Sequence, residues 1–228
     1  MSNKPVITID GPAGAGKTTV SQHIANAYHF IWVDTGALYR GIALVSKQNG
    51  IDFNNDKKLD DLCRSLNLHF VRKNNQLYLF NYDQDISQEI RMPEISLLAS
   101  KISAIPLVRN YLLDVQRQFG KEGGAVFEGR DMGTVVFPDA DIKFFLNADH
   151  IVRAKRRYKE LQAKGIQTNL ESLSEEMKQR DIQDQSRKIA PLMPSPDAIH
   201  IDCSTMDIDQ VVQKMCLEID KKLKGQYA

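Results

Sequence analysis

The stretch Gly11-Pro12-Ala13-Gly14-Ala15-Gly16-Lys17-Thr18-Thr19 meets the pattern G-x-x-x-x-G-K-[ST] at every fixed position. Glycines at those places let successive backbone N–H groups converge on one concavity that a side chain would block, which suits a phosphate. Lys17 is then the residue to reach β- and γ-phosphates, and the Thr18 hydroxyl is the one to face Mg²⁺. The pattern carries chemistry only on a strand–turn–helix frame, so its flanks have to agree. Val6-Ile7-Thr8-Ile9-Asp10 before it reads as a short buried strand, and Val20, Ile24 and Ala27 after it recur at helical spacing. The first amides of that helix lack intrahelical partners and add a partial positive charge. These residues predict a nucleoside-triphosphate site.

Further candidates stand where other elements end. Phe30-Ile31-Trp32-Val33 reads as a second buried strand, followed by a helix from Asp34-Thr35-Gly36 to about Gln48. Strands alternating with helices predict a parallel sheet covered on both faces, with ligands beyond the carboxyl ends of its strands. Thr35, Tyr39 and Arg40 lie just past one such end, although spacing alone makes Thr35 an N-cap and Arg40 an exposed helical arginine. Ala125 to Gly129 reads as a strand whose end carries Glu128, placed to hold a Mg²⁺-bound water, and Gly129-Arg130-Asp131-Met132-Gly133 makes a charged turn. Ile142 to Leu146 is the next strand. The basic run Arg153, Lys155, Arg156, Arg157, Lys159 after it reads as a lid closing over triphosphate, in preference to a solvated helix face or a nucleic-acid contact, for which the aromatic interleaving is missing. Leu173, Met177, Arg180, Asp184 and Arg187 share one face of a helix over about Leu170 to Ile189. By spacing alone their charged half is an i,i+4 ion-pair stripe in solvent.

Between these elements the pattern changes. Leu66, Leu68 and Phe70 alternate with polar residues, Lys73-Asn74-Asn75 marks a turn, and Leu77 and Leu79 alternate again, which predicts a β-hairpin with a third short strand over Asp83 to Ile90. Helices follow over about Pro93 to Lys101 and from Pro106 to just before Gly120. A strand at Ala198 to Ile201 and a helix with apolar positions from Ile208 to Leu223 close the chain, opened by a capping box of Asp207 and Gln210.

Composition narrows the function classes. A net charge of +1 over 228 residues gives no general attraction to nucleic acid or membranes, so any basic site is local. No apolar run approaches the ~18 residues of a membrane span, and the N-terminus lacks a signal-type apolar region, so a cytoplasmic place is expected. Cys63, Cys203 and Cys216 are too scattered for a disulfide framework or zinc cluster, and the histidines show no ligand pairing. No heptad or apolar interface stripe appears, so a monomer is expected.

Four segments together carry a resemblance: GPAGAGKTT at 11–19, DTGALYR at 34–40, GRDMGTVVFPDA at 129–140 and RDIQDQSRKIAPL at 180–192. In this order they resemble the bacterial cytidylate kinases, over nearly the whole chain. The resemblance implies an α/β P-loop nucleoside-monophosphate kinase fold with a five-stranded parallel core sheet flanked by helices, a small antiparallel insertion and a short lid. It implies one kinase domain over 1–228, with core at approximately 1–62, 96–152 and 170–228, insertion at approximately 63–95 and lid at approximately 153–169. The implied reaction is ATP + (d)CMP → ADP + (d)CDP with Mg²⁺. Carried over position by position, Thr35, Arg109, Asp131 and Arg187 recognise cytosine, Ser100, Arg180 and Asp184 contact the sugar, and Arg40 and Arg130 hold the monophosphate. Lys17, Arg130, Asp131 and a lid arginine, Arg153 or Arg157, form the catalytic set. Two positions depart from the family pattern: Thr35 stands where serine is frequent, and Glu128 where aspartate is common.

Overall fold

The computed structural model describes residues 4–73 and 76–225. Strand β1 (Val6–Asp10) leads through the glycine loop into α1 (Lys17–Ala27), then β2 (Ile31–Asp34), α2 (Thr35–Gln48) and α3 (Asp56–Ser65). Strands β3 (Leu68–Lys73), β4 (Gln76–Asn81) and β5 (Gln84–Asp85) precede α4 (Pro93–Ile102) and α5 (Pro106–Gly120), both opened by a proline in the first turn. The chain ends with β6 (Ala125–Gly129), β7 (Ile142–Asn147), α6 (His150–Ala163), α7 (Leu170–Gln185), β8 (Ile199–Asp202) and α8 (Ile208–Gly225).

The main sheet is parallel with strand order β2-β6-β1-β7-β8. The chain leaves β1 towards β2 on one side and later reaches β7 and β8 on the other, so the order reverses at β1, where a parallel sheet opens a crevice for ligands. Alternation along β1 sends Ile7 and Ile9 to one face, where they pack with Val20 and Ile24 of α1 and Met215 and Ile219 of α8. The opposite face holds Phe127, Val33, Met132 and Val136. That face also takes Thr8 and Asp10, the polar half of the alternation, and both are buried. A second core joins α2 to α4, α5 and the small sheet through Leu38, Ile42, Leu79, Ile95 and Leu112. The small sheet is antiparallel, order β3-β4-β5.

Three local expectations need correction, and one helix had no counterpart among them. The third strand of the small sheet is only two residues long, because Ser87 accepts from the Leu79 amide at 2.8 Å and its own amide turns back to Asp85 at 3.0 Å; a single 3-10 turn, Glu89–Arg91, follows. Helix α3 is new, with Asn55 capping it through the Lys58 amide. Helix α7 stops at Gln185 rather than Ile189, since the Leu192 amide takes the Asp184 carbonyl at 2.8 Å. Thr35 is the first residue of α2 and not its cap; Asp34 precedes it, without a side-chain capping bond. The turn residues Asn74 and Asn75 lie outside the described residues. The charged turn at Gly129–Gly133 runs on into a π-helix, Met132–Val136.

Candidate active site

The glycine loop is shaped by backbone contacts that exclude side chains. Gly11 has φ +148°, and a Cβ there would fall 2.0 Å from the Leu146 carbonyl oxygen of β7. Gly14, at φ +74°, faces the Arg153 carbonyl of α6 at 3.0 Å from the same ideal position. The loop is thereby wedged between β7 and α6. The buried Lys17 ammonium bridges it, donating to the carbonyls of Gly11 at 2.8 Å and Pro12 at 2.7 Å. Burial pushes its pKa down, Arg130 adds to that, and Glu128 and Asp10 oppose it.

Glu128, at the end of β6, meets the loop from the neighbouring strand. The Thr18 hydroxyl donates to its Oε1 at 2.9 Å, while the buried Oε2 has no partner. Burial and then Asp34 raise the Glu128 pKa, which Lys17 and Thr18 counter. A hydroxyl on a carboxylate with one unsatisfied buried oxygen is an oxygen-only donor set, and Mg²⁺ takes such ligands. These residues fit that ion. Among the described residues no group of three His, Cys, Asp or Glu side chains offers another metal site.

Beyond the strand ends, arginines from four elements converge. Arg109 of α5 donates to Asp131 and, at 3.1 Å, to the Ser103 carbonyl, with its guanidinium 5.6 Å from the centre of the Tyr39 ring. Arg130 donates to Asp184 at 3.0 Å, and Arg187 donates to the other oxygen of Asp184 and to the Ser103 hydroxyl at 2.7 Å. Asp184 is 1% exposed. Burial alone would raise its pKa, but Arg130, Arg187 and Arg180 overcome that and hold it below the usual carboxylate range. Asp131 goes the other way: burial pushes it up against the pull of Arg109.

Arg180 differs from its neighbours. Its buried Nε has no hydrogen-bond partner among the described residues, and burial followed by Arg130 lowers its pKa to about 10. The Nε atoms of Arg187 and Arg40 are likewise buried and unpartnered. Arg40 reaches Asp34 at 2.5 Å. Ser100 donates to Gln183 at 3.3 Å, and the Thr35 hydroxyl donates to the Glu128 carbonyl at 2.7 Å, which leaves its oxygen free to accept. Five guanidiniums (Arg40, Arg109, Arg130, Arg180, Arg187) therefore share one pocket with three carboxylates (Asp34, Asp131, Asp184). Buried donors without acceptors, on an excess of positive charge, make a site for an anion.

The two lid candidates separate. Arg153 is buried and committed: it donates to the Ala148 carbonyl at 2.9 Å and the Ala13 carbonyl of the loop at 2.9 Å, and pairs with Asp181 of α7 at 2.7 Å. Among the described residues Arg157, one turn along α6, pairs only with Glu160 on its own helix, at 2.8 Å. Beside the loop opens a cavity of about 480 Å³ lined by Pro12, Asn147, Asp149, Arg153, Asp181 and Ser204 among others.

The chain that carries this loop and pocket is similar to known proteins. The sequence model of the family described as cytidylate kinase matches residues 7–221. The chain belongs to the cytidylate kinase family. A protein named cytidylate kinase from Syntrophotalea carbinolica is 46% identical over 215 residues, covering 94% of this chain and 92% of that one. One named cytidylate kinase 1 from Haemophilus influenzae is 41% identical over 216 residues, covering 95% and 94%. Among solved structures, an uncharacterised protein from Eubacterium ventriosum aligns with TM-score 0.52 at 14% identity over 96% of this chain and 99% of its own. A gluconokinase from Sinorhizobium meliloti gives 0.50 at 13% identity over 100% and 98%. At such identities the likeness is one of fold alone.

As a cytidylate kinase family member the chain is an enzyme, a kinase with a P-loop. No helix among its described residues is long and apolar enough to cross a membrane. Sequence reasoning passed over three residues of the site. Ser103, which meets Arg187, belongs to no motif, and Gln183, which meets Ser100, lies inside the segment 180–192 without a role of its own there. Asp10 stands in the sequence simply as the end of a strand, and its place on the polar side of the β1 alternation is the available signal.

Proposed function

We propose that this protein transfers the terminal phosphoryl group of ATP to CMP and dCMP, with Mg²⁺. One observation carries the reading: Arg180 and its neighbours hold unpartnered buried guanidinium nitrogens next to a phosphate loop, in a chain of the cytidylate kinase family. The loop 11–19 takes the ATP phosphates, with Lys17 swinging from the Gly11 and Pro12 carbonyls onto them. Thr18 and Glu128 would hold Mg²⁺, Thr18 directly and Glu128 through water; the ion supplies charge neutralisation on the donor phosphates. Arg40 and Arg130 grip the acceptor phosphate, Ser100, Arg180 and Asp184 the sugar, and Thr35, Arg109, Asp131 and Arg187 the base.

Transfer of this kind needs in-line placement and charge cancellation more than covalent help, so no general base is assigned. Arg157 is the lid arginine assigned to the moving phosphoryl, because Arg153 is already spent on Ala13, Ala148 and Asp181. Arg153 instead fixes the loop to α6 and α7. The segment 153–169 acts as the lid, and 63–95 enlarges the acceptor side. Cytosine offers an N4 amine beside acceptors at N3 and O2, so a carboxylate such as Asp131 accepts from the amine while guanidiniums donate. Uracil presents O4 there and leaves the carboxylate unpaired, which costs binding. We place the enzyme in the cytoplasm as a monomer.

The test is ADP release with Mg²⁺-ATP and CMP, dCMP, UMP, AMP or shikimate as acceptor. Fast release with CMP and dCMP and slow release with UMP is expected. Equal rates with UMP would undo the base assignments, and release without any acceptor would undo the reading of the pocket.

A further inference from the structure

Asp10 is a buried carboxylate that makes no salt bridge among the described residues and has no place in the transfer scheme. It sits on the last residue of β1, next to Gly11, on the face away from Ile7 and Ile9. Its two oxygens accept from consecutive amides, Met132 at 2.9 Å and Gly133 at 2.8 Å. These are the first two residues of the π-helix, directly after Arg130 and Asp131. The Asp131 carbonyl in turn accepts from Val135 at 2.9 Å and Val136 at 3.2 Å, so the turn is clamped on both sides of the residue that faces the acceptor base. Arg117 closes the far end by donating to the carbonyls of Val136 and Val135.

We propose that Asp10 is a positioning residue for acceptor recognition, a strut that fixes the Arg130–Asp131 turn against the strand from which the phosphate loop springs. Only a carboxylate meets both amides at once; an asparagine has one acceptor and would turn an N–H towards an N–H. Burial pushes the Asp10 carboxyl up to about 6, against the opposing pull of the Gly133 and Met132 amides. A purely structural plug would not need a charge that its surroundings resist. The turn also lies close against β1 and β7: a Cβ on Gly133 would stand 3.0 Å from the Thr8 hydroxyl and 3.2 Å from Lys143 Cδ. The strut thereby ties the donor side of the site to the acceptor side across more than 120 residues of sequence.

This inference rests on the assignment of Asp131 to the acceptor base, so its test carries Asp131→Asn alongside Asp10→Asn, with Thr8→Val as a packing control under the same turn. KM for CMP, KM for ATP and the ratio of kcat/KM for CMP over UMP are measured for each, with Tm. Asp10→Asn is expected to raise KM for CMP about tenfold and lower the CMP-over-UMP ratio about tenfold, with KM for ATP within about threefold, because one buried N–H loses its acceptor. Thr8→Val is expected to leave all three near wild type. An unchanged ratio in Asp10→Asn while Asp131→Asn loses it overturns the strut and leaves the base assignment standing. An unchanged ratio in Asp131→Asn removes the assignment and the strut together. Equal rises in both KM values, or the same shift in Thr8→Val, would mark Asp10 as general packing and overturn the proposal. If Asp10→Asn does not fold, Asp10→Ser at low temperature, with one hydroxyl for two amides, carries the same reading.

Discussion

Asp184 is the place where one proton's worth of charge should matter most to stability. It is 1% exposed and accepts from Arg130 and Arg187, whose side chains are 19% and 6% exposed, with Arg180 close behind. Asp184→Asn keeps the shape and removes the charge that holds three guanidiniums together. Removing one partner of a buried pair costs about 3–5 kcal/mol, and the partial exposure of Arg130 argues for the lower end, about 3 kcal/mol. For a chain of this size each kcal/mol moves Tm by about 2–4 °C, so a fall of about 6–12 °C is expected by circular dichroism at pH 7.5. The pH dependence has a definite sign. A carboxyl held below its ordinary range contributes stability that is present above the unfolded pKa and lost as pH falls through the lower folded one. The gap between wild type and Asp184→Asn should therefore stay level from pH 8 to about pH 5, since the unfolded value is near 4. A gap under about 2 °C, or one that already narrows between pH 7 and pH 5, would refute the claim that the arginines overcome burial here.

Two further outcomes concern the donor side. Lys17→Met should lower CMP-dependent ADP release by about 10²–10³-fold, the usual cost of losing one preorganised charge at the reacting group. Its Tm should match or exceed wild type, because burial already disfavours the ammonium; a stable variant with full turnover would remove Lys17 from the reaction. Glu128→Gln keeps a hydrogen-bond partner for Thr18 but loses the unpaired carboxylate oxygen, so the Mg²⁺ concentration for half-maximal rate at fixed ATP should rise about tenfold or more, as judged by magnesium titration of ADP release. No shift in that midpoint would place the ion elsewhere.

The parts of this site that the sequence discloses are those made by neighbours in the chain. The phosphate loop is one: its glycines, lysine and threonine lie within nine residues, and the flanking strand and helix announce themselves by period. The same local logic found the strand ends that carry Thr35 and Glu128. It failed where charge is answered from far away. On spacing alone, Arg180, Asp184 and Arg187 make an ordinary exposed ion-pair stripe, because nothing within a helical turn shows that Arg130, 54 positions earlier, closes on Asp184 and buries it. Only resemblance to the cytidylate kinases lifted that stripe into the site. The third strand of the small sheet failed for a different reason: a serine hydroxyl took over the ladder, and such side-chain competition has no periodic signature.

The distribution of charge explains why the site is divided as it is. At the loop Lys17 and Glu128 oppose each other, near balance, so under the proposed function ATP phosphates and Mg²⁺ would arrive as a pair and need little net field. On the acceptor side cations outnumber carboxylates, and nitrogens on Arg40, Arg180 and Arg187 stay unpartnered. That excess disfavours the folded pocket by itself and favours any dianion that fills it, so acceptor binding should order the pocket more than donor binding does. The carboxylates do not balance the charge completely: Asp34 holds Arg40, Asp184 holds Arg130 and Arg187, and Asp131 holds Arg109 while its own burial pushes it up. Their arrangement makes sense if the phosphate supplies the missing negative charge while Asp131 is kept for the base, at a height set by the turn that Asp10 holds. Recognition of the phosphate and of the base would then fail separately: Arg40→Ala should weaken every nucleoside monophosphate alike, whereas Asp131→Asn should weaken CMP selectively, and competition by inorganic phosphate should follow the first variant and not the second.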